Sequence, residues 1–231
     1  MADNSHPPLQ LRPIPDEATW QLLVNAYKKV KGNTDNGDIA LFEALDVHRS
    51  GFHIPFQARQ VPGKGRGLFA TQHVAQGTCI CDDRSGKFRT EQEWRDFLAL
   101  LPYQVAKESV DWCGVDEYDD DGGQAVFIDF CELALLNHGY SKRSLKLWER
   151  IFPFLSCRKA TANVMGKEID GVWHMVACRD IQAGDELLCD YNECGIGYDY
   201  NLPWFDTIYE EYYPGQKHSD ELQRWTKGKT C

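Results

Sequence analysis

Four short segments of the chain carry residue types and spacings that suit chemistry on a bound ligand. Residues 63–70 (GKGRGLFA) form a glycine-rich turn, and glycines let the backbone approach a ligand closely. Residues 137–139 (NHG) follow a short apolar stretch, residues 181–186 (IQAGDE) predict a turn, and residues 187–191 (LLCDY) end in a tyrosine hydroxyl beside a carboxylate. Taken alone, the glycine-rich segment is equally compatible with a structural turn, and residues 137–139 are compatible with a helix end. The tyrosine alone is more typical of a core residue than of a catalyst.

The composition predicts a chain that folds around its own core and stays outside membranes. Of its 231 residues, 42% are hydrophobic and 12% are aromatic, which is too many for a disordered chain. No apolar run approaches the ~20 residues that a membrane helix needs. The start, MADNSHPPLQ, lacks the basic and apolar regions of a secretion signal. We therefore expect a protein of the nucleus and/or cytoplasm that is not secreted.

Charge is sorted along the sequence. Residues 111–132 hold eight acidic side chains and residues 180–211 hold nine, in both cases without a basic one, whereas residues 142–167 hold seven bases and one acid. With a net charge of −10, this pattern argues against generic nucleic-acid binding and permits a basic partner. Two interpretations stay open: solvated loops and faces, or a surface that is acidic for a basic peptide and basic for an anionic partner.

The cysteines predict free thiols. Their number, nine, is odd, and nothing in the sequence points to secretion. Neither the pair Cys79 and Cys81 nor the pair Cys189 and Cys194 belongs to a repeated C-x2-C frame, so we expect no metal ligands among them. His174 lies in a strand-like pattern and is expected to be structural.

The elements that must position the four segments are mixed α and β, with most of the chain in short strands. Prolines make residues 1–15 a flexible arm, and apolar periodicity makes residues 16–55 a helical flanking region. Short strand-like runs broken by glycine follow, with hairpins around residues 110–130 and around Asp170-Gly171. The clearest helix spans residues 90–101, where a capping box precedes an apolar stripe.

In this order and at these separations, the segments resemble the SET domain, the fold of protein lysine methyltransferases. That family pairs a GxG turn and RGLFA with a strand ending in I-D, then N-H, then P-N, then RDIxxGEELxxDY. The matching positions are residues 63–70, Ile128-Asp129, Asn137-His138, Ala162-Asn163 and residues 179–191. The resemblance implies an α+β, mostly β fold of short β-sheets with a pseudoknot, flanked by N-terminal helices and a C-terminal helix.

The resemblance covers residues 56–193, and the chain departs from the family pattern in several places. Ala134 replaces a family arginine, and Arg84 stands where the family often places a tyrosine near the active site. The basic residues at about 140–160 form an insertion between N-H and P-N. The family's zinc-binding tail is missing, and we expect the aromatic-rich residues 194–231 to close the site instead.

The implied reaction is methyl transfer from S-adenosylmethionine to a protein lysine, with Tyr191 as the catalytic residue and no metal. The resemblance places Cys189, Tyr118 and Arg84 in the substrate channel. The residues implied to bind the cofactor S-adenosylmethionine are Lys64, Gly65, Arg66, Asn137, His138, Trp204 and Tyr198.

The acidic clusters favour a basic protein substrate, a histone or another protein, and a histone substrate would place the enzyme on chromatin in the nucleus. The insertion at residues 142–159 is expected to contact an anionic partner, and no membrane partner is expected. The alternative is a catalytically degenerate SET-fold module that binds a basic protein, an interpretation supported by Ala134 and Arg84. A third hypothesis is a cysteine-based metal or redox protein.

Overall fold

The structure, a computed structural model, describes residues 12–32, 51–61, 65–117, 123–140, 161–170, 172–191, 193 and 202–220. The helices of this part of the chain are α1 (Glu17–Lys31), α2 (Glu91–Ala99), α3 (Tyr103–Trp112) and α4 (Pro203–Tyr212), with a short 3-10 helix at Glu132–Leu135. Residues 141–160, which carry most of the predicted insertion, lie outside the described residues.

Short strands make up three sheets. They are β1 (Phe56–Val61), β2 (Gly65–Ala70), β3 (Cys79–Asp82), β4 (Ser85–Phe88), β5 (Gly114–Glu117), β6 (Gln124–Asp129), β7 (Asn137–His138), β8 (Val164–Ile169), β9 (Val172–Ala177) and β10 (Leu188–Cys189). The strand orders are β1-β2, β4-β6-β5 and β3-β9-β8-β10-β7. The predicted fold class, α+β with short sheets and flanking helices, is confirmed.

Local sequence signals explain where the two clearest helices begin. The Asp16 side chain accepts a hydrogen bond from the Thr19 backbone N–H and so caps α1. Thr90 and Glu93 form the reciprocal capping box predicted for α2. These caps satisfy backbone donors that the first turn of a helix leaves without intrahelical partners.

The prediction for the segment before β5 was partly wrong. The sequence pattern placed residues 110–112 in a hairpin strand, but α3 continues to Trp112 and the strand begins only at Gly114. Ala106 and Val110 are buried four residues apart, so one helical face packs inward. Tertiary packing of this face outweighs the strand preference of the last residues. The hairpin itself, β5 with β6, is confirmed.

Two hydrophobic cores divide the described fold. The first, which we call the helical core, packs α1–α4 against the β4-β6-β5 sheet around Trp94, Phe97 and Phe205. The second, the sheet core, lies among β2, β3 and β8–β10 around Leu68, Ile80 and Ile181. The sheet core matters most for function, because it positions the glycine turn, β7 and β10.

The late strand β10 lies between two earlier strands. It pairs in parallel with β7 on one side, Leu188 opposite Asn137, and with β8 on the other, Cys189 opposite Val164. β10 therefore lies between two strands that precede it in the chain, and the pseudoknot that the resemblance implies stays a prediction. No helix among the described residues is long and apolar enough to cross a membrane.

Candidate active site

Asn137 joins the glycine turn to the segment that leads into β10. Its Nδ2 donates to the Arg66 carbonyl oxygen at 2.7 Å and to Glu186 Oε1 at 2.7 Å. The side chain thus ties β2, β7 and the turn before β10 together. The sequence motifs placed Glu186 in a predicted turn but gave it no role, because its contact with Asn137 spans 49 residues of the chain.

Two glycines of β2 have different structural roles. A Cβ on Gly67 would lie 2.7 Å from Glu186 Oε1 and 2.8 Å from Asn137 Nδ2, so only glycine allows this close approach. Gly65 adopts φ +84°, and no atom of the described residues lies within 4 Å of the position a Cβ would take. Gly67 therefore lets β2 pack against Asn137, whereas Gly65 leaves its backbone open on one side.

The side chain of Arg66 points away from this junction. It donates to the Pro13 carbonyl oxygen at 2.7 Å, pairs with Glu108 at 2.8 Å and stacks over the Trp112 ring. Both charged side chains are only 6% exposed. Arg66 therefore contributes to the candidate site through its backbone, and its side chain anchors β2 to α3.

Asn163 forms hydrogen bonds on both sides of the residue that leads into β10. Its Nδ2 donates to the Glu186 carbonyl oxygen at 2.8 Å, and its Oδ1 accepts from the Leu188 N–H at 2.8 Å. The residue is 1% exposed. Because both halves of the amide are used, Asn163 fixes the path of the chain just before Cys189 and Tyr191.

Tyr191 lies against His138 and reaches the backbone before β7. Its hydroxyl donates to the Leu136 carbonyl oxygen at 2.6 Å, and its backbone N–H donates to His138 Nδ1 at 3.3 Å. The Tyr191 and His138 ring centroids lie 5.2 Å apart, and Tyr140 packs edge-on to the other side of His138. Leu136 and Tyr140 were not anticipated from the sequence.

Cys189 is buried in the sheet core two residues before Tyr191. It lies opposite His138 in the β7–β10 pair, and its carbonyl oxygen accepts from the Gly139 N–H at 2.8 Å. The structure thus brings five predicted residues to one junction of the sheet core: Arg66, through its carbonyl oxygen, Asn137, His138, Cys189 and Tyr191.

The remaining predicted residues lie elsewhere or outside the described chain. Arg84 is buried beside Gly51, where a Cβ would lie 2.7 Å from its Nε. Trp204 is on α4 and packs against the helical core. Channel and cofactor roles for these two stay predictions, as does closure of the site by the aromatic-rich C-terminal segment. Lys64, Tyr118 and Tyr198 are outside the described residues.

The I-D dipeptide ends β6 at the edge of the helical core. Ile128 is fully buried, and Asp129 pairs with Ser85 in the β4–β6 register. Burial, and after it the nearby Asp83 carboxylate, raise the pKa of Asp129 to about 7. This carboxyl group therefore changes its charge close to neutral pH.

One comparison with known proteins covers the segment that holds this junction. The sequence model of the SET domain family matches residues 65–192, more than half of the chain. The chain therefore belongs to the SET domain family. No curated protein sequence matches it.

Two solved structures show a weaker similarity. The methyltransferase domain of human histone-lysine N-methyltransferase SETMAR is 16% identical with a TM-score of 0.39, over 63% of this chain and 48% of that one. A candidate histone methyltransferase of Plasmodium falciparum is 16% identical with a TM-score of 0.34, over 60% of this chain and 94% of that one. The chain thus spans about half the length of the SETMAR structure.

Proposed function

We propose that the protein transfers a methyl group from S-adenosylmethionine to a lysine of a basic protein. The observation that carries this proposal is the Tyr191 hydroxyl held at 2.6 Å from the Leu136 carbonyl oxygen, beside the β7–β10 junction. Membership of the SET domain family supports the same reaction class.

The residues at this junction fit S-adenosylmethionine. The open side of Gly65 leaves room for a ligand close to the backbone, and the Asn137 amide holds that backbone in place. His138 lies on β7 at one end of the five-stranded sheet, and the family resemblance assigns it to the adenine end of the cofactor. When bound, S-adenosylmethionine supplies a methyl group already activated by its sulfonium.

The protein's own task is to present a neutral, aligned lysine amine. A lysine side chain has a pKa of about 10.4 in water and must lose its proton before it can attack. Burial beside the apolar surface of Cys189 and Tyr191 would lower that pKa, because desolvation penalises the charged form. Placement near the cationic methyl donor would lower it further.

The hydrogen bond to Leu136 defines what Tyr191 can do. A tyrosine hydroxyl has one proton to donate, and here it is used in the hydrogen bond to the Leu136 carbonyl oxygen. The hydroxyl oxygen therefore faces an incoming amine as an acceptor. An accepting oxygen holds an amine N–H and thereby directs the nitrogen lone pair. Tyr191 therefore orients the amine, and it contributes to catalysis through alignment rather than through proton abstraction.

The substrate is proposed from charge. A chain with a net charge of −10 attracts a basic partner, and a histone tail or another lysine-rich protein fits this requirement. A histone substrate would place the enzyme in the nucleus. The basic insertion at residues 142–159 would then contact an anionic partner, such as the phosphates of nucleosomal DNA.

The experiment combines the purified chain, isotope-labelled S-adenosylmethionine, a histone panel and a cell extract. We expect S-adenosylmethionine to raise the Tm and label to appear on lysine. A raised Tm with no labelled product from any substrate would instead support the binding module. If S-adenosylmethionine gives no Tm shift and no labelled product appears, both methyl-donor binding and the proposed reaction are contradicted.

A further inference from the structure

A cluster of four potential metal ligands lies at the sheet edge opposite the candidate active site. His53 Nε2 is 2.8 Å from Asp82 Oδ1, and His174 Nδ1 is 2.9 Å from the same oxygen. Cys79 Sγ lies 3.7 Å from His174 Nδ1 and 4.0 Å from Asp82 Oδ1. The ligand atoms of His53, Cys79 and Asp82 all lie within 4.8 Å of one another.

A β-bulge places two of these side chains on the same face. Cys79 and Asp82 are three residues apart in β3, a spacing that normally directs side chains to opposite faces of a strand. The β3–β9 register shifts between Cys79 and Cys81, so both Cys79 and Asp82 reach His174, which lies directly opposite Asp82. Bulges commonly redirect side chains in this way near functional sites.

His53 comes from a third chain segment that runs beside β3. Phe52 pairs with Cys81, the His53 N–H donates to the Ile80 carbonyl oxygen at 2.8 Å, and the Asp82 N–H donates to the Gly51 carbonyl oxygen at 3.2 Å. The residues before β1 thus extend the sheet by a short strand. The four side chains therefore come from three adjacent segments and meet around Asp82 Oδ1.

The convergence does not suit a catalytic Cys-His-Asp relay. A relay needs the histidine to use one ring nitrogen for the thiol and the other for the carboxylate. Here Cys79 and Asp82 both face Nδ1 of His174. A single nitrogen cannot serve both partners as a relay, whereas donors that meet at one point can share a cation.

We propose that His53, Cys79, Asp82 and His174 bind one Zn²⁺ ion. Sulfur, imidazole and carboxylate are the ligand types zinc takes, and a tetrahedral ion with bonds of about 2.0–2.3 Å places its ligand atoms roughly 3.3–3.6 Å apart. Asp82 Oδ1 lies 2.8–4.0 Å from its three neighbours and Cys79 Sγ lies 3.7 Å from His174 Nδ1, distances on both sides of that spacing. The thiolate and imidazole ligands disfavour Mg²⁺ and Ca²⁺, which prefer oxygen.

The proposed zinc site is accessible from solvent, and a bound ion would link three segments of the sheet. The side chain of His53 is 48% exposed, and those of Asp82 and His174 are 25% and 19% exposed, so the cluster is open to solvent. Bound zinc would clamp the segment before β1 to β3 and β9. Because β3 and β7 lie at opposite ends of the sheet, this clamp is separate from methyl transfer and does not depend on the proposed function.

The test titrates the metal-free full-length chain with Zn²⁺ alone against a competing chelator, and with Co²⁺ as a spectroscopic probe. We expect one ion per chain, a raised Tm, and a thiolate-to-cobalt charge-transfer band. Cys79→Ser and His174→Ala should each weaken Zn²⁺ binding at least about 100-fold, the upper range for mutations of the outer shell of zinc sites. His53→Ala provides an exposed third variant that leaves the sheet core untouched.

The matched controls are Cys178→Ser and His73→Ala, which change a partly exposed cysteine and an exposed histidine outside the cluster. Both should bind Zn²⁺ with the affinity of the parent chain. Absence of stoichiometric Zn²⁺ binding, a charge-transfer band retained in Cys79→Ser, or equal loss in Cys178→Ser would overturn the proposal.

Discussion

The Tyr191 hydroxyl reaches back along the sheet to donate to the carbonyl oxygen of Leu136 at 2.6 Å. Leu136 directly precedes β7, whereas Tyr191 follows β10, and the two strands run in parallel. The tyrosine ring packs beside the His138 ring while its hydroxyl makes this bond. The bond fixes the hydroxyl oxygen at the junction where the glycine turn, β7 and β10 meet.

Glu108→Gln should destabilise the protein by about 3 kcal/mol, because it leaves the buried Arg66 guanidinium without its counter-charge. Both side chains of this pair are only 6% exposed. The control is Glu91→Gln, which breaks an exposed pair with Arg95 and should cost under ~1 kcal/mol. Urea unfolding measures both; equal losses would show that the Arg66 pair does not anchor β2.

Asn163→Ala should lower the free energy of unfolding by roughly 2–4 kcal/mol, because the Glu186 carbonyl and the Leu188 N–H both lose a buried partner. Methyl transfer should fall as well, since Asn163 sets the path into β10. The matched control, Asn25→Ala, lies exposed on α1 and should leave stability unchanged or slightly raised. An Asn163→Ala variant as stable as the parent chain would show that the two hydrogen bonds of Asn163 do not stabilise the segment before β10.

Stability should depend on the charge of Asp129 between about pH 4 and 7, because its folded-state pKa is raised to about 7 by burial and then by Asp83. The folded state binds this proton more tightly than the unfolded chain does. The contribution of Asp129 is therefore most favourable at low pH, and it is lost as pH rises through 7.

The comparison uses Asp129→Asn, which stays neutral at every pH. Relative to the parent chain, it should gain about 2 kcal/mol of unfolding free energy between pH 5 and pH 8. Asp96→Asn, on the exposed side of α2, should show no such change. A difference that is constant with pH would mean that Asp129 has no raised pKa.

The sequence predicted the elements better than the contacts between them. The capping box at Thr90 is a local signal, and the structure confirms it. Glu186 and Leu136 could not be found in this way, because their roles arise from partners distant in the chain. The end of α3 was misplaced because packing, which no local pattern shows, sets it.

The same limit explains why the sequence predicted no metal ligands. Cys79 and Asp82 share a face only because β3 contains a bulge, and His174 reaches them from 92 residues away in the chain. Cysteine spacing, the usual sign of a zinc site, detects neither feature. By contrast, the motifs of residues 63–70 and 179–191 marked the candidate active site because their order along the chain is distinctive.

Cys189 should permit di- or trimethylation of the substrate lysine. A thiol is much smaller than an aromatic ring, so a methylated amine has room to enter again beside Cys189. Cys189→Tyr should shift the product to monomethyl-lysine, and Cys189→Ser, which is nearly isosteric, should not. Mass spectrometry at excess methyl donor checks this; unchanged monomethyl product in the parent and Cys189→Tyr would refute it.

The central claim is methyl transfer aligned by Tyr191, and the most direct test is tandem mass spectrometry of substrate incubated with deuterium-labelled S-adenosylmethionine. The account predicts labelled methyl groups on lysine from the parent chain and from Tyr103→Phe, an exposed control on α3. Tyr191→Phe should remain folded and lose activity by at least about 100-fold, the typical effect of removing one aligned polar group. Near-parent labelling by folded Tyr191→Phe would contradict the account.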